Sequence, residues 1–130
     1  MLKRQVILSG TTWEESVGYA RAVRVGHIVE VAGTTAVNSA GEVVGEGDAA
    51  AQARFIFEKI RHALQTAEAQ LEHVTRTRIY LTDISHWEQV GAVHGEVFGQ
   101  IKPACTMLQV AALIDPRLLV EIEVSAVVDL

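Results

Sequence analysis

The segment from residue 120 to residue 126 alternates strictly between apolar and polar side chains, and this pattern constrains the fold more than any other feature. In an extended strand, residues two apart share a face. The apolar face, continued to the end of the segment, consists of Val120, Ile122, Val124, Ala126 and Val128. The opposite face carries Glu121, Glu123 and Ser125. We predict a strand with one apolar face, and carboxylates on so apolar a strand need hydrogen-bond partners or water.

Other segments also have the pattern of strands. Residues 19–25 and 28–34 are short β-branched runs, and Gly26-His27 between them suits a tight hairpin turn. Residues 74–81 form a third long strand. In the strand before the last, one face carries Cys105, Met107 and Gln109. The other face carries Thr106, Leu108 and Val110. The chain is therefore rich in β-structure near both ends.

Two helices are predicted between and after these strands. Asp48 is a good N-cap residue, and apolar residues at helical spacing follow it as far as about Leu71. Ser85 and Glu88 have the spacing of a capping box, which would open a second helix running to Phe98. With no linker, low-complexity tract or convincing repeat, residues 1–130 are expected to form a single α+β domain.

Length and composition agree with one domain. A chain of 130 residues can bury a core without disulfides or metal, and a hydrophobic content of 49% is high enough that some apolar area is expected to meet another subunit. The single cysteine excludes an internal disulfide, and no secretion signal is evident, so a cytoplasmic location is expected. No apolar stretch approaches the roughly 20 residues that span a bilayer, so no membrane role is expected.

The charge distribution disfavours nucleic acid as a partner. The net charge is −5, the basic residues are scattered along the chain, and only 5% of residues are aromatic. A phosphate-binding surface needs clustered positive charge, and binding of single strands needs an aromatic stacking platform. We interpret the charged residues as a solvated surface.

Several unlinked segments resemble one known family. They are Val25-Gly26, Ala32-Gly33-Thr34, Ala51-Gln52-Ala53-Arg54, Tyr80-Leu81-Thr82-Asp83, Pro103-Ala104-Cys105-Thr106 and Val120-Glu121-Ile122-Glu123. From about Tyr19 to Val128, the chain resembles the Rid (YjgF/YER057c/UK114) family of small trimeric imine and enamine deaminases. The resemblance implies a chorismate mutase-like fold, in which two helices pack on a mixed sheet and three subunits surround a β-barrel-like centre. It implies no cofactor.

The resemblance also implies where the site lies. In the deaminases, active sites occupy clefts between subunits. Tyr19 falls at the position of an active-site tyrosine, and Gly33 falls where a backbone group contacts the substrate. Glu121 falls at the glutamate thought to hold the attacking water. These three positions match the family pattern.

Other positions depart from the family pattern. Cys105 replaces the arginine that grips the substrate carboxylate, Met107 replaces a cysteine, and Gly91 replaces an asparagine. We expect Gly33, Gly91, Thr106 and Met107 to line the substrate, with catalysis assigned to Tyr19, Cys105 and Glu121.

Loss of the arginine has a large expected effect. A guanidinium offers two parallel charge-assisted hydrogen bonds to a carboxylate, whereas cysteine offers neither charge nor fork. Each such bond contributes roughly 1.5 to 3 kcal/mol, so 2-aminoacrylate is expected to be a poor substrate. Arg21, Arg24 and Lys102 are candidates to replace the missing charge.

Cys105 itself admits two interpretations. It is either a nucleophilic or redox-active thiol, or a small buried residue that fills space. A nucleophilic cysteine needs a base or a positive neighbour. His94 is the only histidine that we place near it, and a nearby Glu121 would act against activation. We adopt the packing interpretation.

The remaining candidates have equally plain alternatives. Glu121 is either a general base or a hydrogen-bonded interface residue, and Tyr19 is either catalytic or only packed. The five histidines show no metal-ligand spacing, so no metal site is expected. Trp13 and Trp87 are expected to be core or interface anchors.

Three classes of function fit these patterns. The first is hydrolytic deamination of a reactive imine or enamine other than 2-aminoacrylate. The second is non-catalytic binding of a small molecule in the same cleft. The third is a protein-interaction or chaperone-like trimer. We rank the enzyme first, although a fold alone does not fix a function.

Overall fold

The computed structural model describes residues 3–129. Its strands and α-helices, in chain order, are β1 (Arg4–Ile7), α1 (Thr12–Val17), β2 (Ala22–Val25), β3 (Ile28–Thr34), α2 (Ala49–Thr66), β4 (Val74–Leu81), α3 (Trp87–Phe98), β5 (Ala104–Gln109) and β6 (Val120–Val127). Short 3₁₀ turns at Leu71–His73 and Ile84–His86 precede β4 and α3. The α+β class is confirmed.

The strands form a six-stranded mixed sheet in the order β1-β2-β3-β6-β4-β5. Every neighbouring pair is antiparallel except β4 and β5, which are parallel. A parallel pair requires a crossover connection, and α3 supplies it. β6 lies at the centre, between β3 and β4, so the residues on its two faces decide what each side of the sheet presents.

One face of the sheet is covered by α2 and α3 and holds the core. The five apolar residues predicted to share a face of the last strand are all buried there. Ile56 and Ile60 of α2 are fully buried against them, and Phe57 meets Phe98 edge to face, with ring centroids 5.5 Å apart. Burial of each such side chain contributes roughly 1.5–3 kcal/mol, so this layer accounts for most of the folding energy.

The opposite face of the sheet is not covered by any helix, and we call it the open face. It carries apolar residues that are about half exposed in the single chain, namely Val6 (50%), Ile28 (53%) and Val127 (50%). Glu121 and Glu123 of β6 also lie on this face, opposite the core residues. An apolar sheet face of this kind is typical of an interaction surface.

The helix boundaries were predicted with mixed success. Asp48 caps α2 as expected, because its carboxylate accepts a hydrogen bond of 3.1 Å from the Ala51 amide. The helix ends at Thr66 rather than near Leu71, since Glu68 has a positive φ of 61° that stops it. The leucine lies in the following 3₁₀ turn.

The capping box predicted for the second helix is wrong. Asp83, not Ser85, is the capping residue, and its carboxylate accepts a bond of 2.9 Å from the Ser85 amide to open a 3₁₀ turn. α3 then starts at Trp87, and its N-cap residue His86 makes no side-chain capping bond. An aspartate two residues earlier therefore took the role assigned to serine.

The N-terminal elements were not predicted. β1 and α1 precede the first expected strand, and Gly18, with a φ of 83°, ends α1. The strand expected from residue 19 begins only at Ala22, because the Tyr19 amide still donates to Glu14 O at the end of α1.

The two tryptophans, expected to be core or interface anchors, do not lie in the core. Trp13 is 61% exposed on α1, and Trp87 is 54% exposed at the start of α3. Their expected role at an interface remains a prediction.

Candidate functional site

Glu121 lies over Gly33, at the point where β3 is irregular between Val31 and Thr34. A Cβ atom added to Gly33 would collide with Glu121 Oε2 and lie 3.0 Å from Cδ. The absence of a side chain on Gly33 therefore creates the space for this carboxylate. Both residues were predicted for the site, and the fold brings them into contact.

Burial raises the pKa of Glu121 above its usual range. The positive charge of Arg21 opposes this shift, and the negative charge of Glu123 adds to it. Since no hydrogen bond among the described residues contributes to the shift, the carboxylate is available to accept one from a water molecule or a ligand. A half-buried carboxylate with a raised pKa is a candidate general base.

Arg21 connects the members of this group. Its Nη2 donates to Gly33 O at 2.6 Å, and its guanidinium lies 5.9 Å from the ring centroid of Tyr19. Arg21 Nε is buried and has no hydrogen-bond partner within residues 3–129. Of the three basic residues considered as replacements for the family arginine, this is the one that lies beside Tyr19, Gly33 and Glu121.

The other two basic candidates are located elsewhere. Arg24 Nη1 donates to Ala67 O at 2.8 Å and to Glu68 O at 3.1 Å, so it caps the end of α2 on the covered side of the sheet. Lys102 is exposed after α3 and adopts a positive φ of 58°. Neither shares a contact with the Glu121 group in the chain.

Lys59 is a member of this region that sequence patterns missed. From α2 it donates to Thr35 O at 2.8 Å and to Val37 O at 2.9 Å. Burial is the main cause that lowers the pKa of Lys59 to about 8, and the nearby charge of Arg21 contributes to this shift. A lysine in a helix has no local signal for such a contact, because the docking of α2 beside β3 creates it.

Tyr19 is 38% exposed at the rim of the open face. It contributes to the wall of a surface depression of about 550 Å³, whose charged lining residues are Arg4, Glu30 and Glu123. The depression does not include Glu121 or Gly33. Among residues 3–129, Arg21 lies near Tyr19 and also bonds Gly33, and so connects Tyr19 with the Glu121 group.

The other predicted residues form a separate group at β5 and α3. Cys105 is exposed and free, and it pairs in register with Thr77 of β4. Thr77 Oγ1 is hydrogen-bonded to His94 Nε2 at 2.9 Å. Gly91 lies one turn before His94 on α3. Met107 packs against the core next to this strand pair.

Two expectations about Cys105 need correction. It is exposed, so a space-filling role inside the chain is wrong. Glu121 is not its neighbour, because Glu121 pairs with Tyr80 of β4, whereas Cys105 pairs with Thr77 on the far side of that strand. An odd separation of three residues along β4 puts Thr77 and Tyr80 on opposite faces.

His94 does not supply the missing positive charge. Burial lowers the pKa of His94, so its imidazole is neutral at pH 7. Its Nε2 is already engaged with Thr77. Its ring also packs against Phe98, with centroids 4.9 Å apart. The histidine is part of the packing between α3 and the sheet.

Thr106 lies on the open face, away from Cys105 and Met107. Arg76 Nη1 donates to Thr106 Oγ1 at 3.3 Å. On the same face, the Tyr80 hydroxyl donates to Glu123 Oε1, and this bond, with burial added, raises the pKa of Tyr80. Glu123 thereby has the hydrogen-bond partner that the sequence required, whereas Glu121 does not obtain one in this way.

Two surveys of the described residues complete the site. Between residues 3 and 129, no group of three or more histidine, cysteine, aspartate or glutamate side chains is arranged to hold a metal ion. Over the same residues, none of the helices has the length and apolar character that crossing a membrane requires. Exposed arginines are largely paired with acids, as in Arg54–Glu96 (3.1 Å) and Arg117–Asp115 (2.8 Å).

The fold and this arrangement define a class of small α+β proteins, in which two helices cover one face of a six-stranded sheet and a strand glutamate lies over a glycine. The sequence model of the endoribonuclease L-PSP family matches residues 11–128. The chain belongs to this family, which is also called YjgF/YER057c/UK114 or Rid, as the sequence indicated.

Similar proteins support this assignment. The crystal structure of Rv2704 from Mycobacterium tuberculosis, a member of the YjgF/YER057c/UK114 family, has 49% identity and a TM-score of 0.88, covering 97% of this chain and 100% of that one. Protein SCO2049 of Streptomyces coelicolor is 41% identical over 121 residues, which are 92% of this chain and 89% of that protein.

One similar protein has a named activity. The 3-aminoacrylate deaminase RutC of Acinetobacter baylyi is 34% identical over 121 residues, covering 93% of this chain and 95% of that protein. The sequence similarity therefore extends to a relative that is named for an enamine substrate. The word endoribonuclease belongs to the family description, and the absence of a nucleic-acid partner here stays a prediction.

Proposed function

We propose that this protein hydrolyses a reactive imine or enamine and releases ammonia, at a cleft between subunits in which Glu121 acts as the general base. The observation that carries the proposal is the contact of the Glu121 carboxylate with Gly33, in a setting that raises the pKa of the carboxyl group. Such a base can accept a proton from an attacking water molecule.

The chemistry is that of imine hydrolysis. An enamine first takes up a proton at carbon and becomes its imine tautomer. The oxygen of a water molecule then attacks the imine carbon, the π electrons move to nitrogen, and Glu121 transfers the proton from the water to that nitrogen. In the resulting carbinolamine, the hydroxyl proton passes to the amino group, the C–N bond breaks to release ammonia, and the carbonyl group forms. One imine and one water thus give one carbonyl compound and one ammonia, without a cofactor.

The substrate class follows from the relative with a named activity and from the altered residues. RutC acts on 3-aminoacrylate, which supports an enamine substrate. In this chain, Cys105 stands where the deaminases have their carboxylate-binding arginine, and it carries no charge. The proposed substrate is therefore an imine or enamine other than 2-aminoacrylate.

A shared cleft explains why the predicted site residues are divided. Glu121 and Gly33 lie at the irregular part of β3, whereas Cys105, Met107 and Gly91 lie around β5 and α3. A neighbouring subunit packed on the open face would complete one site from two chains. The half-exposed apolar residues of that face support such packing, and we propose a homotrimer.

Non-catalytic binding of a related metabolite is the second candidate. The three replaced positions, Gly91, Cys105 and Met107, favour it, because a binder tolerates the loss of catalytic contacts. A protein-interaction or chaperone-like trimer would need no ligand. These functions differ in turnover and in ligand binding.

The test is a screen for ammonia release over imines and enamines with and without carboxylates. We expect turnover of at least one compound, and a large loss with Glu121→Gln. Glu58→Gln is the matched control, because Glu58 is an exposed glutamate of α2, 67% accessible and paired only with Arg61. Ligand binding without ammonia release would favour the second candidate. Equal turnover by wild type and Glu121→Gln would contradict the assigned base.

A further inference from the structure

We propose that Arg21 is a positioning residue of the Glu121 site: its guanidinium holds the Gly33 carbonyl group and places a positive charge near the Glu121 carboxylate. The inference rests on the proposed function for its catalytic meaning, but its physical content concerns only three residues of this chain. It assigns to the cleft a cation that lies at a different position from the arginine of the family pattern.

Gly33 lies between Arg21 and Glu121 and contacts both. Arg21 Nη2 donates to Gly33 O at 2.6 Å, and Gly33 in turn leaves space that only the Glu121 carboxylate fills. A shift of the Arg21 side chain would break its hydrogen bond to the Gly33 carbonyl group. The Gly33 peptide, against which the Glu121 carboxylate lies, could then move. The irregular pairing of β3 between Val31 and Thr34 makes this peptide less constrained by the sheet ladder.

Arg21 does not serve an ordinary stabilising ion pair. It takes part in none of the salt bridges among residues 3–129, and its buried Nε has no hydrogen-bond partner there. A buried donor without a partner destabilises the folded state. A side chain that carries this cost is better explained by a role at the site than by its own contribution to folding.

Arg21 is also the cation that acts on Glu121. Burial and the charge of Glu123 raise the pKa of Glu121, and Arg21 alone lowers it. The groups that face this region from the packed elements are Tyr80 on β4, Glu123 on β6, Lys59 on α2 and Glu14 on α1. Lys59 has a pKa of about 8 and is held by two backbone carbonyl groups, so it cannot replace the guanidinium.

The test measures ionisation without any substrate. The protein is labelled with ¹³C at the glutamate side-chain carboxyl carbon, and the Glu121 signal is assigned by its loss in Glu121→Gln. Its titration is then compared in wild type, Arg21→Gln and Arg21→Lys. Arg24→Gln is the matched control. Arg24 lies on β2, Arg21 directly precedes this strand, and both side chains donate to backbone carbonyl groups.

We expect Arg21→Gln to move the Glu121 midpoint to higher pH and to shift the Gly33 carbonyl ¹³C signal, while Arg24→Gln changes neither. Lysine keeps the charge but lacks the planar guanidinium that bonds Gly33 O, so Arg21→Lys should shift the Gly33 signal with a smaller change in the Glu121 midpoint. An unchanged midpoint in Arg21→Gln would overturn the proposal. If Arg21→Gln does not fold, Arg21→Lys is the deciding variant. A wild-type Glu121 midpoint together with a wild-type Gly33 carbonyl signal in Arg21→Lys would then overturn the proposal.

The outcome is separable from that of the proposed function. A Glu121 midpoint controlled by Arg21, together with no ammonia release from any compound, would support the positioning role and contradict the enzyme. If turnover depends on Glu121 but not on Arg21, and the Glu121 midpoint is unchanged in Arg21→Gln, the enzyme would be supported and the positioning role contradicted.

Discussion

Glu121 is a half-buried carboxylate whose environment makes its ionised form costly. Burial raises its pKa from the ordinary value of 4.5, with Glu123 adding to the effect and Arg21 opposing it. The neighbouring Glu123 is different, because the Tyr80 hydroxyl donates to it. Two carboxylates on one face of one strand therefore have different environments, which is the arrangement expected when one of them is a base and the other is structural.

The raised pKa of Glu121 predicts how stability depends on pH. Between 4.5 and the higher folded value, the folded state holds a proton that the unfolded state has lost. The contribution of Glu121 to stability is thus fully present at low pH and is lost as pH rises through the folded pKa. Relative to Glu121→Gln, the free energy of unfolding of wild type should fall from pH 4 to pH 8. Urea titrations at fixed protein concentration measure this difference, and a difference that rises with pH would contradict it.

The same shift predicts the pH dependence of turnover. Because a general base must be ionised, the rate on any substrate found in the screen should increase with pH through the Glu121 midpoint. In Arg21→Gln, the rising limb should move to higher pH together with the NMR midpoint. A rate profile that stays fixed while the midpoint moves would show that another group is the base.

At Cys105, the prediction concerns substrate choice. Cys105→Arg restores a fork at the position where the deaminases bind the carboxylate, so 2-aminoacrylate turnover should increase from a low wild-type rate. Rapid hydrolysis of 2-aminoacrylate by wild type would show that another cation has taken over. Gly91 and Met107 also differ from the family pattern, so the full effect requires replacing them together with Cys105.

Reactivity of the thiol distinguishes chemistry from a passive role at Cys105. The described residues around it include a neutral His94 engaged with Thr77 and no cation in contact. Iodoacetamide should therefore modify Cys105 at pH 7 no faster than it modifies cysteine in a short peptide, and Cys105→Ala should leave turnover nearly unchanged. Fast modification that abolishes turnover would make the thiol a catalytic group.

At the scale of elements, the periodic spacing of apolar residues predicted which faces of the strands and helices are buried. Alternation in β6 identified its covered face, and the helical spacing after Asp48 identified α2. Contacts between elements were not accessible in this way. The placement of Lys59 against the loop after β3 depends on how α2 docks, and the start of α3 depended on competition between Asp83 and Ser85 as caps.

Gly33 tests the link between the β3 irregularity and the site. In Gly33→Ala, the added Cβ collides with Glu121 Oε2, so the flexible carboxylate must move while the fold is retained. Turnover should fall strongly, and the Glu121 titration should change. Gly95→Ala is the control, because nothing lies within 4 Å of a Cβ there, and alanine in a helix should stabilise by roughly 0.5–1 kcal/mol. A Gly33→Ala variant with normal turnover would disconnect this glycine from the site.

At the scale of the whole molecule, the family pattern predicted the fold, but the site could only be located in part. Glu121 and Cys105 lie on the strands predicted for them, but Tyr19 precedes its strand, and the three residues do not converge in one chain. No pattern within a chain can show which residues of two copies meet. The resemblance to the family led us to expect a cleft between subunits. Such a cleft can form only if copies of the chain assemble.

The assembly prediction is a stable homotrimer formed through the open face. Three apolar residues of this face are each about half exposed in the single chain, namely Val6, Ile28 and Val127. Their burial against a second copy would stabilise the assembly through the hydrophobic effect. Light scattering at micromolar concentration should give three times the chain mass of 14.1 kDa. Ile28→Lys should weaken the trimer, whereas Ile114→Lys, at a residue 94% exposed outside the sheet, should not. A stable wild-type monomer would contradict the trimer and, with it, a cleft shared by Glu121 and Cys105.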